Sequence, residues 1–166
     1  DLSKRDDAQA LVVVTADGTT AASAGDQDRV YRLASVTKLL SAYAALVAVE
    51  EGALALDQPA GPPGSTVAHL LAHTAGYDFS TSTLRAEPGE RRLYSNTGFE
   101  VLADLLESET GIAFDAYAHE AVFAPLGMTS TTIGGSAAAV RASCSAARSH
   151  STTSLTDWPM RSGSST

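Results

Sequence analysis

Ser35 and Lys38 are the first residues in the sequence whose types and spacing could do chemistry together. A serine hydroxyl is a weak nucleophile until a neighbouring group accepts its proton, and an amine beside it can accept that proton or stabilise the alkoxide. Residues three apart on a helix share one face, so the hydroxyl and the ammonium can meet. Ser-x-x-Lys alone is weak evidence for catalysis, because an ordinary serine near a solvated lysine gives the same pattern.

Tyr94, Ser95 and Asn96 form the second candidate group. A phenol can relay a proton near a serine-lysine pair, and an amide can hold a substrate carbonyl or the lysine. The alternative is a turn in which Asn96 caps the following helix. Together the two groups are stronger evidence for catalysis than either alone. The Ser35 group opens an apolar helix after a predicted strand pair, and the Tyr94 group occupies the loop before another helix.

His69 and His73 raise a metal alternative, since two histidines four apart on a helix resemble the zinc motif His-Glu-x-x-His. Leu70 stands where the glutamate of that motif should be, and no third ligand follows at a recognisable spacing. We rank a zinc protein last among the possible functions and expect neither a metal nor another cofactor.

The elements that must position these residues begin with a hairpin. Two runs of apolar or small residues, Leu11 to Thr15 and Thr19 to Ala24, flank an Asp-Gly turn and predict two antiparallel strands. A central helix is predicted from Ser35 to Glu51, with Gly52 at its left-handed end. Its apolar residues recur at helical spacing; they are Leu39, Tyr43, Leu46 and Val47.

Three more helices are predicted after the central one. Ser65 or Thr66 caps a short helix that stops at Gly76. A loop over residues 77–92 leads to an amphipathic helix that ends just before Gly111. One further helix, carrying Phe114, Tyr117 and Val122, ends at Pro125.

Composition narrows the class of protein. With 166 residues, 44% of them apolar, the chain is long enough for one soluble globular domain. A net charge of −8 repels phosphate backbones, so nucleic acid is excluded as a partner. The longest apolar stretch, Leu39 to Val49, is far shorter than the roughly 20 residues of a membrane-spanning helix, so we expect no membrane span. Residues 1–7 show no apolar signal segment, and the compartment stays open.

The segment Arg32 to Lys38 resembles the first motif of class C beta-lactamases, of their D-Ala-D-Ala carboxypeptidase and penicillin-binding relatives, and of similar esterases. The resemblance covers about Leu11 to Ser143, and the ordered set of motifs is specific although each motif alone is weak. The further matching segments follow in the family's order; they are Gly52 to Asp57, Leu70 to Gly76, Pro88-Gly89, Tyr94 to Gly98 and Pro125 to Met128.

This resemblance implies roles for the candidate residues. Ser35 would form an acyl-enzyme, Lys38 and Tyr94 would transfer protons, Asn96 would orient the substrate, and His73 would be structural. The substrate would be a small molecule or peptide with an amide or ester bond: a beta-lactam, a D-Ala-D-Ala peptide or a small ester, among which the sequence does not choose. Members of this family are often periplasmic or secreted and some are cytoplasmic, so the localisation is left open.

The implied fold is α+β and beta-lactamase/transpeptidase-like, with a helical region and an incomplete antiparallel sheet. This chain would supply only the N-terminal hairpin, and the C-terminal strands of the sheet are missing. The family's third motif, a Lys- or His-containing triplet ending in glycine, does not follow Met128. The half that carries it also supplies a backbone donor of the oxyanion hole, and losing one such donor costs about 2.7 to 4 kcal/mol of transition-state stabilisation. The alternative function is therefore a non-catalytic remnant or penicillin-binding module without turnover.

The predicted domain boundary lies at Ser143. Residues 1–143 form the partial family domain, and residues 144–166, rich in serine, threonine and arginine, form a poorly folded tail outside the family pattern. One hypothesis for this change is a frameshift or truncation near Ser143. A second chain that supplies the missing strands is the other explanation, because an unpaired sheet edge favours pairing with another chain.

Overall fold

The computed structural model describes residues 10–27, 29–133 and 143–145. The chain divides into two compact units, Asp1–Arg29 with Ala146–Thr166, and Val30–Ser145. Of the predicted tail, only residues 144 and 145 are described, within a short strand. The rest of the prediction for residues 144–166 lies outside the described residues.

The first unit contains the predicted hairpin. Strand β1, Ala10–Val14, pairs antiparallel with strand β2, Thr20–Gly25. Gly18 adopts a φ of +83° in the turn, and the Asp17 carboxylate accepts a hydrogen bond from the Thr19 N–H at 3.0 Å. A left-handed glycine after aspartate is what a tight hairpin turn requires. The hairpin prediction is confirmed.

The second unit combines helices with a small sheet. Strand β5, Ser143–Ser145, lies between β3, Val30–Arg32, and β4, Thr131–Thr132, and pairs antiparallel with both. The α+β class is confirmed, and this second sheet adds to the predicted hairpin. The helices of the unit are α1 (Thr37–Glu50), α2 (Val67–Leu71), α3 (Asn96–Thr110) and α4 (Phe114–Ala118), the last continued by a π-helical turn (His119–Phe123).

Helix α1 buries its small residues rather than its leucines. Leu39 is 71% exposed and Leu46 is also exposed, although their spacing helped to predict the helix. Small side chains leave room for the neighbouring elements, and α1 packs against α3, α4 and the π-helical turn. The helix is confirmed, but its large apolar residues do not form its buried face. That face consists of Thr37, Lys38, Ser41, Ala44, Ala45 and Ala48.

The other helix ends follow local chemistry. The Thr66 side chain accepts the His69 N–H, and the His69 ring accepts the Thr66 N–H at 3.2 Å, so Thr66 caps α2. Helix α2 ends at Leu71, and the prediction that it continues to Gly76 is wrong. Gly111 ends α3 with a φ of +69°, as a left-handed cap does.

The core of this unit joins α2, α3 and the π-helical turn. Burying a leucine or phenylalanine side chain stabilises a fold by roughly 1.5 to 3 kcal/mol, which makes these positions the main source of local rigidity. The largest side chains that are fully buried are Phe123, Leu70, Leu102 and Leu106. The start of α1 and the start of α3, which carry the candidate residues, are therefore held by the same core.

Candidate active site

Ser35 lies in a 3-10 turn, Ala34–Val36, that leads into α1. The regular helix begins at Thr37, two residues later than predicted. Ala34 has a φ of +46°, in the left-handed region that favours glycine. A non-glycine residue held there costs on the order of 1 to 3 kcal/mol, and such residues cluster at functional sites. The strained turn leaves the Ser35 side chain exposed.

Lys38 is buried in the first turn of α1, with 6% of its surface exposed. Its Nζ donates a hydrogen bond to Asn96 Oδ1 at 2.7 Å and lies 4.9 Å from the ring centre of Tyr94 and 5.8 Å from that of Phe99. No carboxylate among the described residues forms an ion pair with Lys38. A buried ammonium needs compensating partners, and here they are an amide oxygen and two aromatic rings.

Tyr94 connects Lys38 to Ser35. A side-chain hydrogen bond with Ser35 is the largest cause that lowers the pKa of Tyr94 from its ordinary value near 10. A hydrogen bond with Lys38 and the positive charges of Lys38 and Arg92 lower the pKa further, while partial burial opposes them. Tyr94 is 39% exposed, so the structure brings the predicted hydroxyl, ammonium and phenol together beside solvent.

Asn96 occupies the first position of α3, but it does not cap the helix. Ser95 is the cap, since its Oγ accepts the Gly98 N–H at 3.2 Å. The alternative in which Asn96 caps the helix is therefore wrong. The Asn96 side chain instead accepts a hydrogen bond from the Lys38 ammonium through Oδ1. Its Nδ2 donates a hydrogen bond to the Ser80 hydroxyl at 3.2 Å.

His73, for which the family resemblance implies a structural role, lies beside Tyr94. Its Nδ1 accepts the Ser95 N–H at 3.2 Å, and its ring centre lies 4.5 Å from that of Tyr94 and 5.0 Å from that of Phe99. Burial, followed by the charges of Arg92 and Lys38, lowers the pKa of His73 below 6.5. The sequence marks His73 only through its place in the segment Leu70 to Gly76, which matches the family. That match does not predict which groups His73 contacts.

The two histidines considered for zinc do not share a helix. His73 lies beyond the end of α2 with a φ of +59°, whereas His69 lies within α2. Each ring uses its Nδ1 to accept a backbone N–H, from Thr66 or from Ser95. Within the described part of the chain, no group of three or more His, Cys, Asp or Glu residues could hold a metal ion.

The Beta-lactamase family model matches residues 4–165 of this sequence. The chain belongs to the beta-lactamase family. Its fold is similar to the crystal structure of a beta-lactamase from Mycobacterium bovis, with a TM-score of 0.78 and 51% identity over 82% of this chain and 50% of that one. The beta-lactamase/transpeptidase-like fold is thereby confirmed as a partial domain.

Two further relatives have names other than beta-lactamase. The D-alanyl-D-alanine-carboxypeptidase/endopeptidase AmpH of Escherichia coli is 28% identical over 142 residues, which cover 63% of this chain and 37% of AmpH. A D-amino acid amidase from Ochrobactrum anthropi, solved with L-phenylalanine amide, is 25% identical with a TM-score of 0.64, covering 75% of this chain and 46% of the amidase. This chain thus spans half or less of the length of each of these three relatives.

None of the helices in the described ranges is long and apolar enough to cross a bilayer. The longest, α3, has 15 residues and carries charged side chains along its length. A spanning helix needs roughly 20 predominantly apolar residues.

Proposed function

We propose that this chain carries the nucleophilic half of a beta-lactamase-family serine hydrolase, which opens an amide or ester bond through an acyl-enzyme on Ser35. One observation supports the proposal most strongly: the Tyr94 phenol shares hydrogen bonds with both Ser35 and Lys38, which lower its pKa. A phenol with a lowered pKa is a better proton acceptor for serine near neutral pH, because more of it is deprotonated.

Acylation begins with attack of Ser35 Oγ on the substrate carbonyl carbon. The Oγ–C bond forms as the serine proton moves to the Tyr94 phenolate, and the carbonyl π electrons move to the oxygen. The intermediate then collapses, the bond to the amine or alcohol breaks, and the leaving group takes the proton from Tyr94. Water attacks the acyl ester in the same manner and restores the Ser35 hydroxyl.

Lys38 and Asn96 support these steps without forming bonds to carbon. The buried Lys38 ammonium stabilises the phenolate at short range, where the surroundings screen charge less than bulk water does. Asn96 holds Lys38 through Oδ1, and its amide would orient the substrate. The substrate class is a small molecule or peptide with a beta-lactam, D-Ala-D-Ala or small ester carbonyl.

Covalent labelling tests the proposal. The full chain is incubated with a fluorescent penicillin and with a fluorophosphonate, and the labelled peptide is identified by mass spectrometry. We expect label on Ser35 and none on the Ser35→Ala variant. Ser108→Ala, which removes an exposed hydroxyl at the far end of α3, serves as the matched control and keeps the label. Equal labelling of wild type and Ser35→Ala, or no label on either, contradicts the proposal.

Turnover is measured separately with nitrocefin and a p-nitrophenyl ester. Hydrolysis of one and not the other separates lactam from ester chemistry. Stoichiometric labelling of Ser35 without steady-state hydrolysis supports the alternative of a penicillin-binding module without turnover.

We further propose a second polypeptide segment that completes the antiparallel sheet. The four apolar side chains of β1 from Leu11 to Val14 are 45 to 57% exposed, which is unusual for a valine-rich strand. Co-expression with the C-terminal half of the Mycobacterium bovis relative tests this proposal. We expect the two pieces to co-purify and hydrolysis to increase, whereas separate elution with unchanged hydrolysis contradicts it.

A further inference from the structure

The residues on both sides of Tyr94 are bound to one histidine. The His73 carbonyl oxygen accepts the Leu93 N–H at 2.8 Å, and His73 Nδ1 accepts the Ser95 N–H at 3.2 Å. Its ring lies against the Tyr94 ring, with centres 4.5 Å apart and planes inclined by 33°. The backbone before Tyr94, the backbone after it and the ring itself are therefore all fixed by contacts with His73.

We propose that His73 is a positioning residue that holds the Tyr94 phenol against Ser35 and Lys38, and that it does so only as a neutral imidazole. The inference rests on the proposed function, because it concerns the alignment of the phenol that the proposed acylation uses. His73 does not itself touch the reacting serine in this arrangement. It acts through the segment Leu93 to Ser95.

The backbone conformation of His73 is the first reason for this proposal. A φ of +59° is unusual for a residue with a side chain, and it persists only where the surroundings determine it. At this position the same residue offers both its carbonyl oxygen and its ring nitrogen to the segment around Tyr94. A regular continuation of α2 would direct the His73 carbonyl along the helix axis instead.

The chemistry of the ring is the second reason. Nδ1 accepts the Ser95 N–H only with its lone pair free, so the other ring nitrogen carries the proton. A second proton would turn Nδ1 into a donor that faces another donor. The titratable and charged groups that face the ring are Lys38 from α1 and Arg92 and Tyr94 from the adjoining segment, and the two cations further oppose an imidazolium.

Three variants test the proposal. His73→Asn keeps an acceptor near the position of Nδ1 and tolerates a positive φ, but it lacks the ring. His73→Ala removes both the acceptor and the ring. His69→Asn is the matched control, since the His69 ring also accepts a backbone N–H, from Thr66, but in the cap of α2.

The first measurement is the titration of Tyr94, followed by phenolate absorbance in the ultraviolet and assigned by subtracting the Tyr94→Phe spectrum. We expect the pKa of Tyr94 to move back towards 10 in His73→Ala, to move less in His73→Asn, and to stay unchanged in His69→Asn. An unchanged Tyr94 titration in His73→Ala overturns the positioning role. This readout does not depend on activity, so absent Ser35 labelling in wild type refutes the proposed function alone.

The second measurement is the rate of Ser35 acylation against pH, and it remains informative if His73→Ala fails to fold. In wild type, the acylation rate should fall in proportion to proton concentration as the pH is lowered, because Tyr94 becomes protonated. Once His73 also takes up a proton, the rate should fall with about the square of the proton concentration. In His73→Asn it should stay first order, with a rate that is lower at neutral pH. A wild-type limb that stays first order down to the acid unfolding of the chain overturns the requirement for neutral His73.

Discussion

The Asn96 amide oxygen accepts a hydrogen bond from the Lys38 ammonium at 2.7 Å, and this bond joins the first turn of α1 to the first residue of α3 across 58 positions of sequence. The ammonium is buried, and the partner in this bond is a neutral amide rather than a carboxylate. An amide holds the cation in place without cancelling its charge. The positive field of Lys38 thus remains available to the neighbouring phenol.

Replacing Asn96 by alanine should destabilise the fold, because the buried ammonium loses its amide acceptor and keeps only the interactions with Tyr94 and Phe99. A buried polar group left without a partner costs about 1 to 3 kcal/mol. Urea unfolding of wild type and Asn96→Ala measures the difference. Ser80→Ala, which removes only the partner of Asn96 Nδ2, should unfold close to wild type, and equal midpoints for all three proteins would show that this bond contributes nothing.

Tyr94→Phe should slow acylation of Ser35 by about 10² to 10⁴-fold, the usual contribution of a positioned proton-transfer group. Since the pKa of Tyr94 is lowered, the wild-type rate should rise with pH and level off below pH 10. Stopped-flow acylation by a p-nitrophenyl ester measures both effects. Tyr77→Phe is the control, because burial raises the pKa of Tyr77 and its loss should leave the profile unchanged.

The same lowered pKa has a consequence for stability. Between the pKa of folded Tyr94 and the ordinary value near 10, the unfolded chain binds more protons than the folded chain, so this phenol stabilises the fold increasingly as pH rises through that interval. Wild type should therefore gain stability relative to Tyr94→Phe as pH rises towards 10. Urea unfolding of both proteins at several alkaline pH values measures the gain, and parallel curves would refute it.

Gly76→Ala should be strongly destabilising. A Cβ built there would lie 2.2 Å from the Ala86 carbonyl oxygen, and the residue has a φ of +92°. Gly64→Ala is the matched control, since Gly64 has a φ of +84° but no atom within 4 Å of a Cβ. A left-handed alanine destabilises both variants by about 1 to 2 kcal/mol. Only Gly76→Ala is also destabilised by the collision of its Cβ with the Ala86 carbonyl oxygen. Thermal melts of the two should differ, and similar melting temperatures would contradict the tight packing of this loop.

Phe79→Ala should change the choice of substrate more than the rate of proton transfer. Phe79 is 58% exposed, and its ring centre lies 6.0 Å from that of Tyr94 in a stacked arrangement. An exposed ring beside the reacting groups can bind an apolar acyl group, and such a contact discriminates about tenfold or more. The ratio of kcat/KM for p-nitrophenyl phenylacetate and p-nitrophenyl acetate measures it. Leu84→Ala removes another exposed apolar side chain of the same loop and should leave the ratio unchanged.

The sequence predicts which segments are helical better than it predicts what each helix buries. Periodic leucines indicate α1, yet Leu39 faces solvent while Ala44, Ala45 and Ala48 are buried. Alanine favours helices whether exposed or buried, so its burial depends on neighbours that are distant in sequence. The short second sheet cannot be predicted from the sequence either, because strands of two or three residues are too short to show a hydrophobic alternation.

The members of the candidate site can be found from their spacing and from the family resemblance, but their contacts cannot. Both Ser95 and Asn96 are residue types that can cap α3, and tertiary contacts decide which of them does. Asn96 accepts a hydrogen bond from the Lys38 ammonium, whereas the Ser95 hydroxyl donates to the Asp78 carbonyl oxygen. The left-handed backbone of Ala34 and His73 also depends on tertiary contacts, since residues with a side chain seldom adopt it. The catalytic roles of Ser35, Lys38, Tyr94 and Asn96 stay predictions until they are measured.

The small size of the buried alanines of α1 also determines where Lys38 lies in the site. Ala44, Ala45 and Ala48 are completely buried on the helix whose first turn carries Lys38. A larger side chain at any of these positions has no space, so the whole helix would have to shift, and Lys38 would shift with it. Substitutions about two to three turns away from Lys38 would thus change the reactivity of the site. Homologues with larger side chains at these positions would need a compensating loss of volume elsewhere in the core.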